Sequence, residues 1–148
     1  MPEVRPPFRD GVYVLPVRVY YEDTDAAGIV YYANYFRFAE RARTEMLIAL
    51  GVRQEELLNG HGVAFAVRHC SADYVKPARF GDLLEVHSRI IGMARTSITA
   101  EQSVRRDGTE LVAMTFRIVC MTLGGRAVRI PDHVRAALAD VCVAGKGT

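Results

Sequence analysis

The chain has 148 residues, half of them hydrophobic and 24% charged, a balance that fits one globular core and excludes wholesale disorder. With 19 Lys and Arg against 17 Asp and Glu, the net charge of +2 supplies no long-range field for a polyanion, so nucleic acid is not an expected partner. No uncharged apolar run reaches about 18 residues and no apolar stretch follows the first methionine, so neither a membrane span nor an export signal is expected. Cys70, Cys120 and Cys142 are widely spaced and form no CxxC pair, which points to free thiols in a reducing, cytoplasmic setting and away from a disulfide framework or zinc site.

Residues 1–11, "MPEVRPPFRDG", carry three prolines and read as a flexible lead-in, leaving 12–148 as a single domain. From Val12, "VYVLPVRVYY" is rich in β-branched and aromatic residues and reads as a strand, with Pro16 marking an edge or a bulge. The chain then enters "EDTDAAG", where Glu22, Asp23 and Asp25 precede Gly28. In "ANYFRFAERARTEMLIALG", Tyr35, Ala39, Ala42, Met46 and Ala49 recur at helical spacing and define one buried face, with Gly51 as a stop. Arg37, Glu40, Arg41, Arg43 and Glu45 fall largely off that stripe.

Four strand-like segments follow: "VAFAVRHCSADYV", "DLLEVHSRII", "TSITAEQSVR" and "TELVAMTFRIVCMTL". "IGMAR" and the Asp-Gly pair of "RDGT" supply short turns, so consecutive strands are expected to pair antiparallel. "PDHVRAALADVCV" closes the chain as a short helix opened by Pro131. The long helix is the only element able to cover one face of such a sheet, which implies an α+β domain with an antiparallel sheet wrapped around one central helix.

The acidic turn carries the chemistry. A helix start presents backbone N–H groups without intrahelical partners, and these can polarise a carbonyl oxygen or hold an oxyanion. A carboxylate beside such donors would make a compact acyl-transfer site; the same spacing also suits aspartates that only cap turn or helix backbone. Bulky aromatic and apolar residues around the acids suggest that the turn is enclosed as well as acidic.

"VRVYYEDTDAAGIVYYANYF", followed by "RARTEML" and "DYVKPARFGDLLEV", resembles the acyl-CoA thioesterases of the 4-hydroxybenzoyl-CoA thioesterase group in the hotdog superfamily, and most of all the Tol-Pal system-associated members. The likeness runs from about Pro16 to about Val119, and "DTDAAGIVYYANY" is its specific part. It implies a hotdog fold, paired into dimers or tetramers with sites at subunit interfaces. It also implies hydrolysis of acyl-CoA to free acid and CoA, with Asp25 as nucleophile or general base and the Tyr32 backbone N–H polarising the carbonyl. Gly28 would shape the turn, Tyr31 would line the substrate, and Arg95, with Lys76 as a second candidate, would meet the coenzyme A phosphates.

Some Tol-Pal-associated relatives carry histidine where this chain has Tyr32, so an imidazole contribution is absent here while the backbone role is intact. Thioesters suit a weak base such as a carboxylate, because the thiol leaves with a pKa near roughly 8.5. Coenzyme A enters as part of the substrate and no separate cofactor or metal is expected; acyl carrier protein is an alternative bearer of the acyl group. His61, His69, His87 and His133 show no metal-ligand spacing, and Glu40 and Glu45 read as a charged helix face. Two alternatives stand beside hydrolysis: a non-catalytic protein that binds acyl-thioesters or an envelope partner, and a hotdog dehydratase or hydratase recruiting His61 or His69.

Overall fold

The structure, a computed structural model, describes residues 8–143. Strands β1 (Phe8–Arg9) and β2 (Val12–Arg18) lead through a short turn into α1 (Asn34–Ala49). α2 (Gln54–Glu56) runs on into a single wide helical turn, Leu57–His61. β3 (Val63–Tyr74), β4 (Leu83–Met93), β5 (Ser97–Arg106), β6 (Thr109–Thr122) and α3 (Asp132–Ala139) complete the chain. The sheet has the order β1-β2-β4-β5-β6-β3 and every pairing is antiparallel.

Inward-facing side chains of β4, β5 and β6 explain the layering. Leu84, Val86 and Ile90 of β4, Ala100 and Val104 of β5, and Met114 and Phe116 of β6 are buried against α1, which offers Tyr35, Phe38, Ala39, Ala42 and Met46. Two of the helix contacts are alanines, so the helix axis can lie close to the sheet. Gln102, 2% exposed, spans the gap: its side-chain amide donates to Ala39 O at 2.9 Å and to Ser88 Oγ at 2.8 Å.

The sequence stripe is nearly right. Ala49 is exposed, and Phe38, fully buried, takes the fifth place on the inner face. α1 stops where expected: Gly51 has φ +80°, its N–H donates to Ile48 O, and Val52 N–H reaches back to Leu47 O. That is the paired closure glycine permits because it alone enters the left-handed region without a Cβ penalty.

β1 lies in the segment read as a lead-in. Asp10 (φ 52°) and Gly11 (φ 81°) form a two-residue hairpin turn that pairs Phe8 with Tyr13. Residues 1–7, the rest of that segment, lie outside the described residues, as do 144–148. Among the described residues β1 pairs only with Val12 and Tyr13, so Pro16 forfeits no ladder bond to them on that side of β2. The opposite edge of the sheet is β3, a 12-residue strand exposed over much of its length.

Candidate active site

The acidic turn is a miniature hairpin. Tyr31 N–H donates to Asp23 O, Asp25 N–H to Ile29 O, and Gly28 N–H to Asp25 O, each at 3.0 Å. Ala26 and Ala27 form the turn, and Gly28, at φ +79°, is the left-handed residue that closes a three-residue hairpin loop. A Cβ placed on Gly28 would meet nothing within 4 Å, so glycine is required there by its dihedral and not by crowding.

The two aspartates have different tasks. Asp23 is 7% exposed, and its Oδ2 accepts from Tyr20 N–H at 2.8 Å while its carbonyl takes Tyr31 N–H and the Asn34 side-chain amide. It fastens the β2 exit to the start of α1. Asp25 is exposed; its Oδ1 accepts from Ala27 N–H at 2.8 Å, and its Oδ2 has no partner among the described residues. Both acids therefore accept from turn backbone, as their spacing allowed; they differ in burial, and the exposed Asp25 keeps a carboxylate oxygen without a partner among the described residues.

At the other end of the hairpin, Tyr31 and Tyr32 lead into α1. Tyr31 O accepts from Asn34 N–H and Tyr32 O from Tyr35 N–H, whereas Tyr32 N–H has no acceptor among the described residues. Tyr32 stands two residues before the start of a 16-residue helix whose dipole favours negative charge at this end. Asp25 lies on the first arm of the hairpin and Tyr32 directly after the second, so one short segment carries both groups.

The phenols pack on one another. Tyr31 and Tyr32 ring centroids lie 4.8 Å apart, and Tyr74, at the end of β3, meets Tyr32 edge-on at 6.0 Å and Tyr35 at 5.8 Å. Only Tyr35 is buried; Tyr31, Tyr32 and Tyr74 remain exposed. The enclosure suggested by the sequence is thus not supplied by one chain, which instead leaves an aromatic surface around Asp25 that continues through Tyr20, Tyr21 and Phe80.

Residues 19–138 match the thioesterase-like superfamily. The chain belongs to that superfamily. Its relatives include the acyl-CoA thioesterase YbgC of Haemophilus influenzae, 41% identical over 129 residues that cover 86% of this chain and 95% of the relative. The acyl-CoA thioester hydrolase YbgC of Escherichia coli is 46% identical over 107 residues, 72% of this chain and 79% of the relative. A probable thioesterase from Bartonella henselae superposes with a TM-score of 0.78 at 32% identity, over 81% of this chain and 99% of that one. A 4-hydroxybenzoyl-CoA thioesterase complexed with 4-hydroxybenzoyl-CoA shares the fold at a TM-score of 0.81 and 23% identity, over 86% of this chain and 98% of that one. The hotdog architecture expected from the residues is the one these thioesterases have.

Not every candidate side chain gathers at the turn of this thioesterase-fold chain. Lys76 lies in the β3–β4 connection, two residues before Ala78, whose carbonyl accepts from Val30 N–H of the hairpin, and its own N–H donates to Leu111 O at 3.1 Å. Arg95 sits in the β4–β5 turn, at the far end of a strand whose first residues adjoin the hairpin, so roughly 35 Å of strand separates them within one chain. Among the histidines, His61 and His133 stack at 5.4 Å, and His87 pairs with Glu85 at 3.1 Å. Among the described residues, no group of three or more His, Cys, Asp or Glu is placed to hold a metal ion.

Arg43 was misplaced by sequence. Instead of facing solvent, it is partly buried, its guanidinium sits 4.3 Å from the centre of the Phe116 ring, and its Nη1 donates to Gln102 Oε1 at 3.0 Å. Burial lowers its pKa from the ordinary arginine value. With Glu40, Thr44, Phe65 and Val67 it borders a cavity of about 310 Å³ between α1 and the inner face of the sheet. Arg41 and Glu45, at ion-pair spacing on that charged helix face, form no salt bridge among the described residues.

Proposed function

We propose that this protein is an acyl-CoA thioesterase that hydrolyses the thioester with Asp25, either by direct attack or through an activated water. The observation that carries the reading is the pairing, in one short segment, of a carboxylate oxygen and an N–H near the helix start that both lack a partner among the described residues. The Tyr32 N–H would take the carbonyl oxygen as negative charge develops on it, with the α1 dipole in support. Asp25 would face the carbonyl carbon, and CoA would leave as a thiolate that needs no strong acid.

The functional unit in this reading is a homodimer or a tetramer built from it. β3 is a long exposed edge, a template for pairing, and beside it Tyr31, Tyr32 and Tyr74 are left bare. Antiparallel pairing of two β3 edges would turn the second copy end for end and carry its Arg95 toward the first copy's hairpin. Arg95 and Lys76 would then serve the coenzyme A phosphates, and the aromatic surface would become the wall of an enclosed acyl channel.

The free thiols and the lack of any helix long and apolar enough to cross a membrane among the described residues suit a cytoplasmic setting. Acyl carrier protein as acyl donor, and a link to the Tol-Pal machinery, belong to the same proposal. Competition between acyl-CoA and acylated carrier protein tests the first, and the neighbouring genes test the second. The deciding assay for function is CoA release across short, medium, long and aromatic acyl-CoAs: turnover of any supports the hydrolase, while tight binding without turnover supports the binding-protein alternative.

A further inference from the structure

The hairpin that carries Asp25 and the helix that carries the Tyr32 N–H are separate elements, and a third segment contacts both. Residues 78–80, in the connection from β3 to β4, run beside the hairpin: Val30 N–H donates to Ala78 O at 2.8 Å, Ile29 bridges Arg79, and Phe80 N–H donates to Gly28 O at 3.2 Å. On its other side the peptide of Ala78 meets the helix, because Ala78 N–H donates to the Tyr35 hydroxyl at 2.9 Å. Ala78 is fully buried, and Val30 and Tyr35 are each 3% exposed. One residue's carbonyl therefore holds the acid's hairpin while its N–H holds the first turn of α1.

The segment is itself anchored. Asp82 Oδ2 accepts from Arg79 N–H at 2.9 Å and from Arg106 Nη1, on β5, at 2.8 Å. Val19 N–H donates to Asp82 O at 2.9 Å, and Gly81 N–H to Val19 O at 3.0 Å, which ties the same turn to the end of β2. We infer that Tyr35 and Asp82 are positioning residues: through Ala78 and Arg79 they set the separation between the Asp25 carboxylate and the Tyr32 N–H. The inference rests on the thioesterase reading of those two groups. Tyr35 touches no reacting atom in this scheme, and its hydroxyl acts only as the acceptor that fixes Ala78.

The physical basis is that acyl transfer depends steeply on geometry, with about 1 Å of misplacement worth up to roughly 100-fold in rate. Tyr35→Phe keeps the ring packing against Phe38 and Tyr74 but leaves the buried Ala78 N–H without an acceptor. Burial also pushes the Tyr35 phenol above its ordinary value, so the acceptor is neutral throughout the working pH range.

The test compares wild type, Tyr35→Phe, Asp82→Ala, Asp82→Asn and Asp25→Asn on a hydrolysed acyl-CoA, with kcat and KM measured well below each melting temperature. Tyr35→Phe is expected to lower kcat by about 10- to 100-fold with KM within about twofold. Asp82→Ala is expected to lower kcat in the same way, and Asp82→Asn, which keeps an acceptor for Arg79 N–H, to recover part of it. Wild-type kcat in folded Tyr35→Phe with only a lower melting temperature would overturn the inference. Should Tyr35→Phe not fold, equal kcat in wild type and both Asp82 variants would overturn it as well. Asp25→Asn separates the two levels: if it retains activity the thioesterase site has been misassigned, whereas if it is inactive beside a fully active Tyr35→Phe only the positioning role fails.

Discussion

Gly28→Ala isolates the part of the site that depends on a single dihedral. At φ +79° an alanine occupies the left-handed region, at roughly 1–2 kcal/mol. The replacement also restricts the unfolded chain, which returns about 0.4–1 kcal/mol. No steric term enters, since the added methyl meets nothing within 4 Å. The net loss is about 0.5–1 kcal/mol, a fall of roughly 1–4 °C in melting temperature for a domain of this size. The kinetic effect should be larger than that modest change suggests, because relaxing the strain moves the loop that presents Asp25; we expect kcat to drop at least about tenfold. Gly60→Ala is the control: its surroundings are equally empty but its φ is not in the left-handed region, so stability should hold or rise by up to about 1 kcal/mol. Thermal melts with CoA-release kinetics on both variants decide the matter. A Gly28→Ala protein that melts with Gly60→Ala and turns over at the wild-type rate would refute the dihedral argument.

Two further perturbations follow from named contacts. Gln102→Leu removes the acceptor of Arg43 and the donor to Ala39 O and Ser88 Oγ in a buried setting, and should cost about 2–4 kcal/mol in urea unfolding, more than a Gln→Leu change on the surface. Asp82 makes stability depend on acid: burial alone would raise its pKa, but hydrogen bonds from Arg79 N–H and the Arg106 guanidinium outweigh that and lower it below the ordinary 3.8. Since the folded value is depressed, the contribution is complete above the unfolded pKa and is lost as pH falls through the folded one. Urea midpoints measured downward from pH 5 should therefore decline more steeply for wild type than for Asp82→Asn, and parallel curves would contradict the assignment.

Most of the fold was legible because its patterns are local. Helical spacing from Tyr35 to Met46, the Asp-Gly turn at Asp107 and Gly108, and four strand-like segments bounded by turns are each signals of a single stretch of chain. β1 was missed although Arg9, Asp10 and Gly11 repeat the same turn signal, because a strand of two residues offers no alternation to read. Arg43 falls off the apolar stripe in sequence, and its partial burial could not be read there, because the Phe116 ring and the Gln102 amide that hold it arrive from distant strands.

The site divides in the same way. Asp25, Gly28 and Tyr32 lie within one hairpin, so sequence proximity was enough to bring them together. The labour of Asp23, the Ala78 bridge and the Asp82 anchor required the fold, since each joins segments far apart in the chain. Enclosure was inferred from aromatic residues, yet in one chain those residues face outward; the wall they would form belongs to the proposed assembly, which no local pattern encodes.

The measurement that bears most directly on the central claim is CoA release by Asp25→Asn against wild type, on whichever acyl-CoA the wild type hydrolyses fastest. Asparagine preserves the size of the side chain and can still accept from Ala27 N–H, so folding and assembly should be unchanged. The account predicts that kcat collapses by about 1,000-fold or more while the substrate still binds. A folded Asp25→Asn protein that releases CoA at the wild-type rate would contradict it.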